Sequence, residues 1–173
     1  MKLKSKVFFI LPILILISQS CGVYSFTGTT ITAETISIST FYNDASNGPA
    51  NLGILFTDAV RDYFQQNTSL KQIDDGGELQ MDGNIVSYRL SPVAPSAATS
   101  DATRETANLT RLTITVKVNY VNLENEDFNF SKNFSQFADF DSDIGITSVE
   151  SQLIDQIFDQ IILDIFNSSV ANW

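Results

Sequence analysis

Two features of the composition bound the chemistry open to this chain: a single cysteine, Cys21, and no histidine among 173 residues. One cysteine rules out an internal disulfide. Without histidine the chain lacks the commonest metal ligand and the usual general base near neutral pH, and a Cys–His nucleophile is impossible. Gly76-Gly77 lacks the other residues of a phosphate-binding loop motif. The sequence therefore predicts no metal, no cofactor and no enzyme of these classes.

Clustered carboxylates are the remaining groups that could perform acid–base chemistry. They lie at 74–75, 124–127 and 139–143. The last cluster, DFDSD, does not have the spacing of an EF-hand calcium loop. Acids in polar turns are usually solvated, and that is the expected interpretation here. A carboxylate-dependent hydrolase stays open as an alternative.

The position of Cys21 indicates covalent modification. Three lysines within the first six residues precede an apolar run, Val7 to Ile17. The run is too short to span a bilayer comfortably and is typical of a signal-peptide core. The order predicts a lipoprotein signal peptide over 1–20, cleaved so that Cys21 carries acyl chains and 21–30 forms a lipidated linker.

Two alternatives concern the same segment. Ser18 lies three residues before the cysteine, where lipoprotein signals usually have an aliphatic residue, so plain secretory cleavage near Ser20 would leave Cys21 as a free thiol. A membrane anchor helix is the other alternative, and the length of the run disfavours it. A lone reactive thiol at a mature N-terminus is a liability, which favours lipidation. Gly22, in place of the aspartate that retains proteobacterial lipoproteins in the inner membrane, favours the outer membrane.

The charge of the mature chain excludes one class of partner. Seven of the ten basic residues and all twenty acidic residues follow residue 20, so the mature chain has a formal charge of −13. Bulk electrostatics therefore argue against nucleic-acid binding. Any attraction to anionic lipid must be local.

The apolar periodicity predicts six elements within one domain, 31–173. Period two, as at Ile36 and Ile38, indicates strands, and three-four spacing indicates helices. The predicted elements are a strand within 29–43, a helix within 51–67, strands within 78–93, 111–123 and 128–140, and a helix over 147–166. Two helices on one face of a four-stranded mixed β-sheet, in the order β-α-β-β-β-α, would bury every apolar stripe, which is an α+β fold.

Three local features complete this prediction. A change of apolar parity at Gly83 suggests a β-bulge there. Thr147 and Glu150 fit a capping box at the start of the last helix. The segment 91–110 is rich in Pro, Ala, Ser and Thr and is typical of a long loop.

The segments CGVYSFTGTTI, RLTITVKVNY, FSQFADFDS and SVESQLIDQIFDQIILDIFNSSVANW resemble LptE-like lipopolysaccharide-assembly lipoproteins of the Bacteroidetes type. The resemblance covers nearly all of the mature chain, and its most specific parts are the cysteine-led start and FADFDS. It implies a lipid-anchored outer-membrane protein on the periplasmic side that is not an enzyme. Such a protein plugs and helps assemble the β-barrel lipopolysaccharide exporter (LptD) and binds lipopolysaccharide.

That implied role requires cationic groups for the phosphates of lipid A. The candidate lipopolysaccharide-binding residues are Arg89, Arg104, Arg111 and Lys117. Arg89 closes one strand and Arg111 opens the next, so pairing of these strands would bring both to one sheet end, with Arg104 in the loop between them. Ordinary solvated side chains are the alternative. A binding or scaffolding lipoprotein of another envelope complex stays open as a second function.

Overall fold

The protein has two helices on one face of an open mixed sheet, and its helices and strands follow the change in apolar period along the chain. The computed structural model describes residues 32–93 and 108–170. Cys21, the predicted signal peptide, the linker and Arg104 lie outside these residues. The elements are β1 (Thr35–Ile38), β2 (Tyr42–Asn43), α1 (Leu52–Asn67), β3 (Lys71–Ile73), β4 (Leu79–Pro92), β5 (Leu109–Asn122), a 3-10 turn (Glu126–Phe128), β6 (Phe130–Asp141) and α2 (Ile146–Ser169).

The sheet has the strand order β3-β1-β4-β5-β6, and β2 pairs with β4 beyond the end of β1. β1 is parallel to both β3 and β4, whereas β4, β5 and β6 are antiparallel, so the predicted β5–β6 hairpin is confirmed. The sheet has six strands where the sequence predicted four. β2 and β3 contain only two and three residues, which is too short for an alternating pattern to mark them.

The core lies between the sheet and the helices. Alternate residues of β5, from Leu112 to Tyr120, are almost fully buried, as the period of two predicts. The helices meet through edge-to-face aromatic pairs, Phe56–Phe158 with ring centroids 4.9 Å apart and Phe64–Phe166 at 5.5 Å. Aromatic pairs of this geometry add about 0.5–1.5 kcal/mol each beyond the area they bury. Both helices therefore pack on one face, and no helix of the described residues lies over the other face.

The bulge in β4 lies three residues beyond its predicted place. The β4–β5 register is regular through Gly83 and shifts at Val86, which is 38% exposed. Gly83 has a different role, because a Cβ there would lie 2.1 Å from the carbonyl oxygen of Lys117 and 2.7 Å from the ring of Phe41. The glycine therefore makes room for a core aromatic side chain and leaves the register unchanged.

The predicted capping box is absent from α2. Gly145 is the N-cap, and Thr147 is already the second helical residue, so no side chain caps the helix. The carboxylate of Glu150 instead accepts a hydrogen bond of 2.6 Å from the hydroxyl of Tyr88 on β4. A tertiary partner has replaced the local contact that the sequence pattern predicts.

The connection from β3 to β4 crosses β1 on the sheet face opposite to the helices. The backbone amides of Gly77 and Glu78 donate to the hydroxyls of Ser37 and Thr35, at 3.4 and 3.1 Å. A Cβ on Gly77 would lie 2.6 Å from the amide nitrogen of Ser37 and 2.8 Å from two further backbone atoms. Only glycine fits this crossing, which leaves Ser37 5% exposed.

Candidate functional site: the open face of the sheet

The face of the sheet away from the helices carries small polar side chains on its three long strands. The hydroxyls of Thr115 and Ser135 are 2.9 Å apart on neighbouring strands. Ser131 donates to the amide oxygen of Asn119 at 2.6 Å, and the Asn119 amide group donates to Asp82 at 2.7 Å. These ladders span three strands and are solvent-exposed. The outward Thr, Asn and Ser side chains therefore form a flat, hydrogen-bonded surface.

Three of the four candidate cations lie on this face. In the β4–β5 register Arg89 is opposite Thr113, and Arg111 is opposite Ser91, so the two arginines are diagonal neighbours at one sheet end. This is the proximity that strand pairing predicts. Lys117 is on the same face, four residues along β5 from Thr113. Arg89 and Lys117 are both exposed.

Arg111 forms an ion pair that the sequence did not reveal. Its Nε and Nη2 atoms donate to the two carboxylate oxygens of Asp139 at 2.7 and 2.8 Å, and its guanidinium lies 3.6 Å from the centroid of the Phe137 ring. The hydrogen bonds raise the pKa of Arg111 and lower that of Asp139. Within the described ranges this is the one salt bridge, so Arg89 and Lys117 have no acidic partner there.

A crevice of about 720 Å³ opens where β1 and β3 end. Its wall includes Arg61, whose Nε and Nη2 atoms donate to the carbonyl oxygen of Ile38 at 3.2 and 2.7 Å. Asp74 and Asp82 also line it, and the 71% exposed Tyr42 stands beside them. The sequence pattern does not reveal this crevice because its walls come from four separate segments of the chain. Only the exposed aromatic residue next to a strand end could have indicated it.

Two tyrosines have shifted ionisation. Burial, followed by the hydrogen bond and the charge of Glu150, raises the pKa of Tyr88. Burial alone raises the pKa of Tyr120 to about 12. Both shifts favour the neutral phenol and extend the pH range over which it persists.

Metal ligands and membrane spans can be assessed in residues 32–93 and 108–170. No group of three His, Cys, Asp or Glu side chains there could hold a metal ion. Neither helix is both long enough and apolar enough to cross a membrane.

The fold and this face define the class: a two-layer α+β domain whose long strands β4, β5 and β6 present a polar face that no helix of the described residues covers. The model of one protein family, LptE, described as lipopolysaccharide-assembly, matches residues 33–169. The chain belongs to this family, whose members are envelope lipoproteins that are not enzymes. No curated protein matches the sequence.

Several solved structures of distant proteins are similar to this chain. The hypothetical protein CT253 from Chlamydia trachomatis is similar with a TM-score of 0.54 and 10% identity, over 81% of this chain and 99% of that one. A minor lipoprotein from Acinetobacter baumannii has a TM-score of 0.47 and 12% identity, over 79% and 93%. The rare lipoprotein B from Shewanella oneidensis has a TM-score of 0.43 and 11% identity, over 78% and 89%. At such identities the likeness concerns the fold alone.

Proposed function

We propose that this protein is an outer-membrane lipoprotein that lodges in the β-barrel lipopolysaccharide exporter, helps that barrel assemble and aids insertion of lipopolysaccharide at the cell surface. The observation that carries the proposal is the family match over residues 33–169, which includes every helix and strand of the described domain. The open sheet face supports it, since small polar side chains suit the water-filled lumen of a large barrel.

The lipid tether is the first part of the proposal. Acyl chains on Cys21 would hold the protein to the inner leaflet on the periplasmic side, and stable anchoring needs more than one chain. The described chain begins at Thr32, whose hydroxyl donates to Glu124 in the turn after β5. Arg89 and Arg111 lie at the opposite end of the β4–β5 ladder. At roughly 3.3 Å per residue, the fourteen residues of β5 separate the two ends by roughly 45 Å.

This geometry leaves the cationic end away from the tether. Ten residues lie between Cys21 and Thr32, and a fully extended chain of these eleven steps reaches at most roughly 40 Å. The end that carries Arg89 can therefore extend into a barrel while the acyl chains stay in the leaflet.

Lipopolysaccharide binding is the second part. Arg89 and Lys117 are exposed and lack an acidic partner within the described ranges, so they are the cations on this face that remain to bind phosphate. Four residues of β5 set them roughly 13 Å apart along the strand. Arg111 contributes by fixing this corner of the face through Asp139, and Arg104 remains a proposed contact from the loop.

Co-purification tests the partner. Extracted in mild detergent, the protein should bring down a large β-barrel of the lipopolysaccharide exporter. Recovery with a different envelope complex, and never with that barrel, would favour the scaffolding alternative. Cys21→Ala should release the protein from the membrane, and mass spectrometry of the native protein should find acyl chains on Cys21. A protein that stays membrane-bound after this substitution would refute the lipid anchor.

A charge-reversal pair tests the binding surface. Arg89→Glu with Lys117→Glu should weaken lipopolysaccharide binding without unfolding the domain, because both side chains are exposed. Lys71→Glu is the control, since Lys71 is also exposed but lies on the far edge strand. Equal affinity in the double variant and the control would remove Arg89 and Lys117 from the proposed site.

A further inference from the structure

The crevice beside Tyr42 lies at a place in the sheet that the topology makes concave. β1 is in the middle of three parallel strands, with β3 on one side and β4 on the other. The chain leaves β1 at Ile38 towards β2, and it leaves β3 at Ile73 into the turn that crosses back over β1. Connections that leave neighbouring parallel strands in different directions open a gap at their carboxyl ends, where open sheets commonly bind ligands.

Two hydrogen bonds from side chains to backbone carbonyl oxygens stabilise the walls of this gap. Arg61 reaches from α1 to the carbonyl oxygen of Ile38, and Gln72 donates to the carbonyl oxygen of Arg61 at 2.6 Å. The glycine crossing at Gly77 fixes the turn that carries Asp74. The crevice is therefore held by hydrogen bonds and close backbone contact. Its volume of about 720 Å³ falls in the range of small-ligand sites.

The chemistry of the walls excludes several ligands. One arginine and two aspartates give the lining a net charge of −1, which disfavours a phosphate or sulfate group. An acyl chain would displace water from the charged groups of Arg61, Asp74 and Asp82, and the hydrogen bonds that Arg61 forms with Ile38 and Asp82 with Asn119 satisfy only part of their bonding capacity, so their desolvation is costly. The carboxylates do not converge on a metal position within the described residues. A neutral ligand with many hydroxyl groups meets none of these penalties.

The side chains match such a ligand directly. Carboxylate, guanidinium and amide groups are planar and can each bond two neighbouring hydroxyls of one ring. The ring of Tyr42 is 71% exposed and offers a flat apolar surface beside them. Thr40 and Ser39 add exposed hydroxyls at the mouth of the crevice.

We propose that this crevice binds one or two units of a neutral saccharide, with the sugar ring stacked on Tyr42 and its hydroxyls bonded by Asp74, Asp82 and Arg61. The site is separate from Arg89 and Lys117, and the inference does not depend on the lipopolysaccharide role. Pyranose rings of this kind occur both in the oligosaccharide of lipopolysaccharide and in the glycan strands of the cell wall. The shared chemistry is a hydroxylated six-membered ring.

The test is a titration of the full lipidated protein in a detergent without a sugar headgroup. The probes are a neutral hexose oligosaccharide from the outer core of lipopolysaccharide and the disaccharide N,N′-diacetylchitobiose. Saturation-transfer NMR detects which sugar protons touch the protein, and calorimetry gives the affinity. Saturable binding of either probe supports the proposal, and the preferred probe identifies the source of the sugar. Absence of binding for both would overturn it.

Variants locate the binding. Tyr42→Ala should weaken it about two- to tenfold, which is the contribution of one stacked ring. Tyr42→Phe should keep the affinity, since it keeps the ring, and Asp74→Asn should weaken binding. Leu123→Ala, an exposed apolar residue in the turn after β5, is the control and should change nothing. Binding unaffected by both Tyr42→Ala and Asp74→Asn would overturn the assignment to this crevice.

The two proposals can fail separately. Co-purification of the Tyr42→Ala variant with the exporter barrel reports on the proposed function, whereas sugar titration needs no barrel. Loss of sugar binding with intact barrel recovery is the pattern expected of a separate site.

Discussion

Replacing Gly77 by alanine tests the crossing on which the crevice and the β3–β4 connection depend. The added Cβ would lie 2.6 Å from the amide nitrogen of Ser37, 2.8 Å from the carbonyl carbon of Ile36 and 2.8 Å from the carbonyl oxygen of Leu79. All three contacts are to backbone, so relief requires the chain to separate from β1. Side-chain rotation cannot relieve them.

The magnitude follows from two contributions. Overpacking that forces the backbone to move costs about 1–3 kcal/mol. The shift also threatens the bonds of Glu78, whose amide donates to Thr35 and whose carboxylate accepts from the amides of Glu34 and Thr35 at 2.5 and 3.2 Å. Loss of one such bond adds about 1 kcal/mol. The expected destabilisation of Gly77→Ala is therefore about 2–4 kcal/mol.

Urea unfolding followed by far-ultraviolet circular dichroism measures this. With a urea dependence of about 2 kcal/mol per molar, the midpoint should fall by about 1–2 M. Gly76→Asn is the matched control in the same turn. Gly76 has a φ of +73° and no atom within 4 Å of a built Cβ, and asparagine tolerates that backbone. Equal midpoints for Gly77→Ala and the wild type would refute the steric argument.

Three further predictions concern the ionisable groups. The double variant Arg111→Asp with Asp139→Arg exchanges the partners of the ion pair and should restore part of the stability that either single change removes. A double-mutant cycle of denaturant unfolding measures this, and single-variant effects on the free energy of unfolding that simply add would mean that the pair contributes nothing. Tyr88→Phe should lower stability by about 1 kcal/mol through loss of the bond to Glu150, and Glu150→Ala should add little to that variant. The raised pKa of Tyr120 means that the folded state favours the neutral phenol. Its contribution to the free energy of unfolding is therefore complete below pH 10 and is lost as the pH rises from about 10 to about 12. Ultraviolet absorbance should show one phenol that ionises only as the protein unfolds, and ionisation of Tyr120 near pH 10, the usual value, would contradict its burial.

Long periodic segments were predictable because their signal is local. The alternation from Leu112 to Tyr120 needs no partner to be recognised, and neither does the helical stripe through Ile154 and Ile165. Both elements are present, as are the β5–β6 hairpin and the placement of Arg89 beside Arg111. Strand pairing preserves parity, so the outward cations followed from the sequence once the pairing was assumed.

Features set by distant contacts were not predictable. The bulge lies at Val86, whereas Gly83 leaves room for Phe41, a neighbour forty-two residues away in the sequence. Glu150 bonds Tyr88 on another element and leaves the helix start uncapped. Leu55 of α1 is apolar and yet 44% exposed, since three-four spacing predicts an apolar face but not how far the second helix covers it.

Periodicity along the chain is enough to predict the two helices and the long strands. Composition gives the −13 charge of the mature chain and excludes histidine chemistry, and the motifs indicate the protein family, because all of these are properties of the residues in their order. Three features depend on the tertiary structure. Asp139 pairs with Arg111, and Gly77 passes over β1. Arg61, Asp74 and Tyr42 line one crevice. These are contacts between segments far apart in the chain. No local pattern records them, because the pairing energy appears only when the strands and helices have packed.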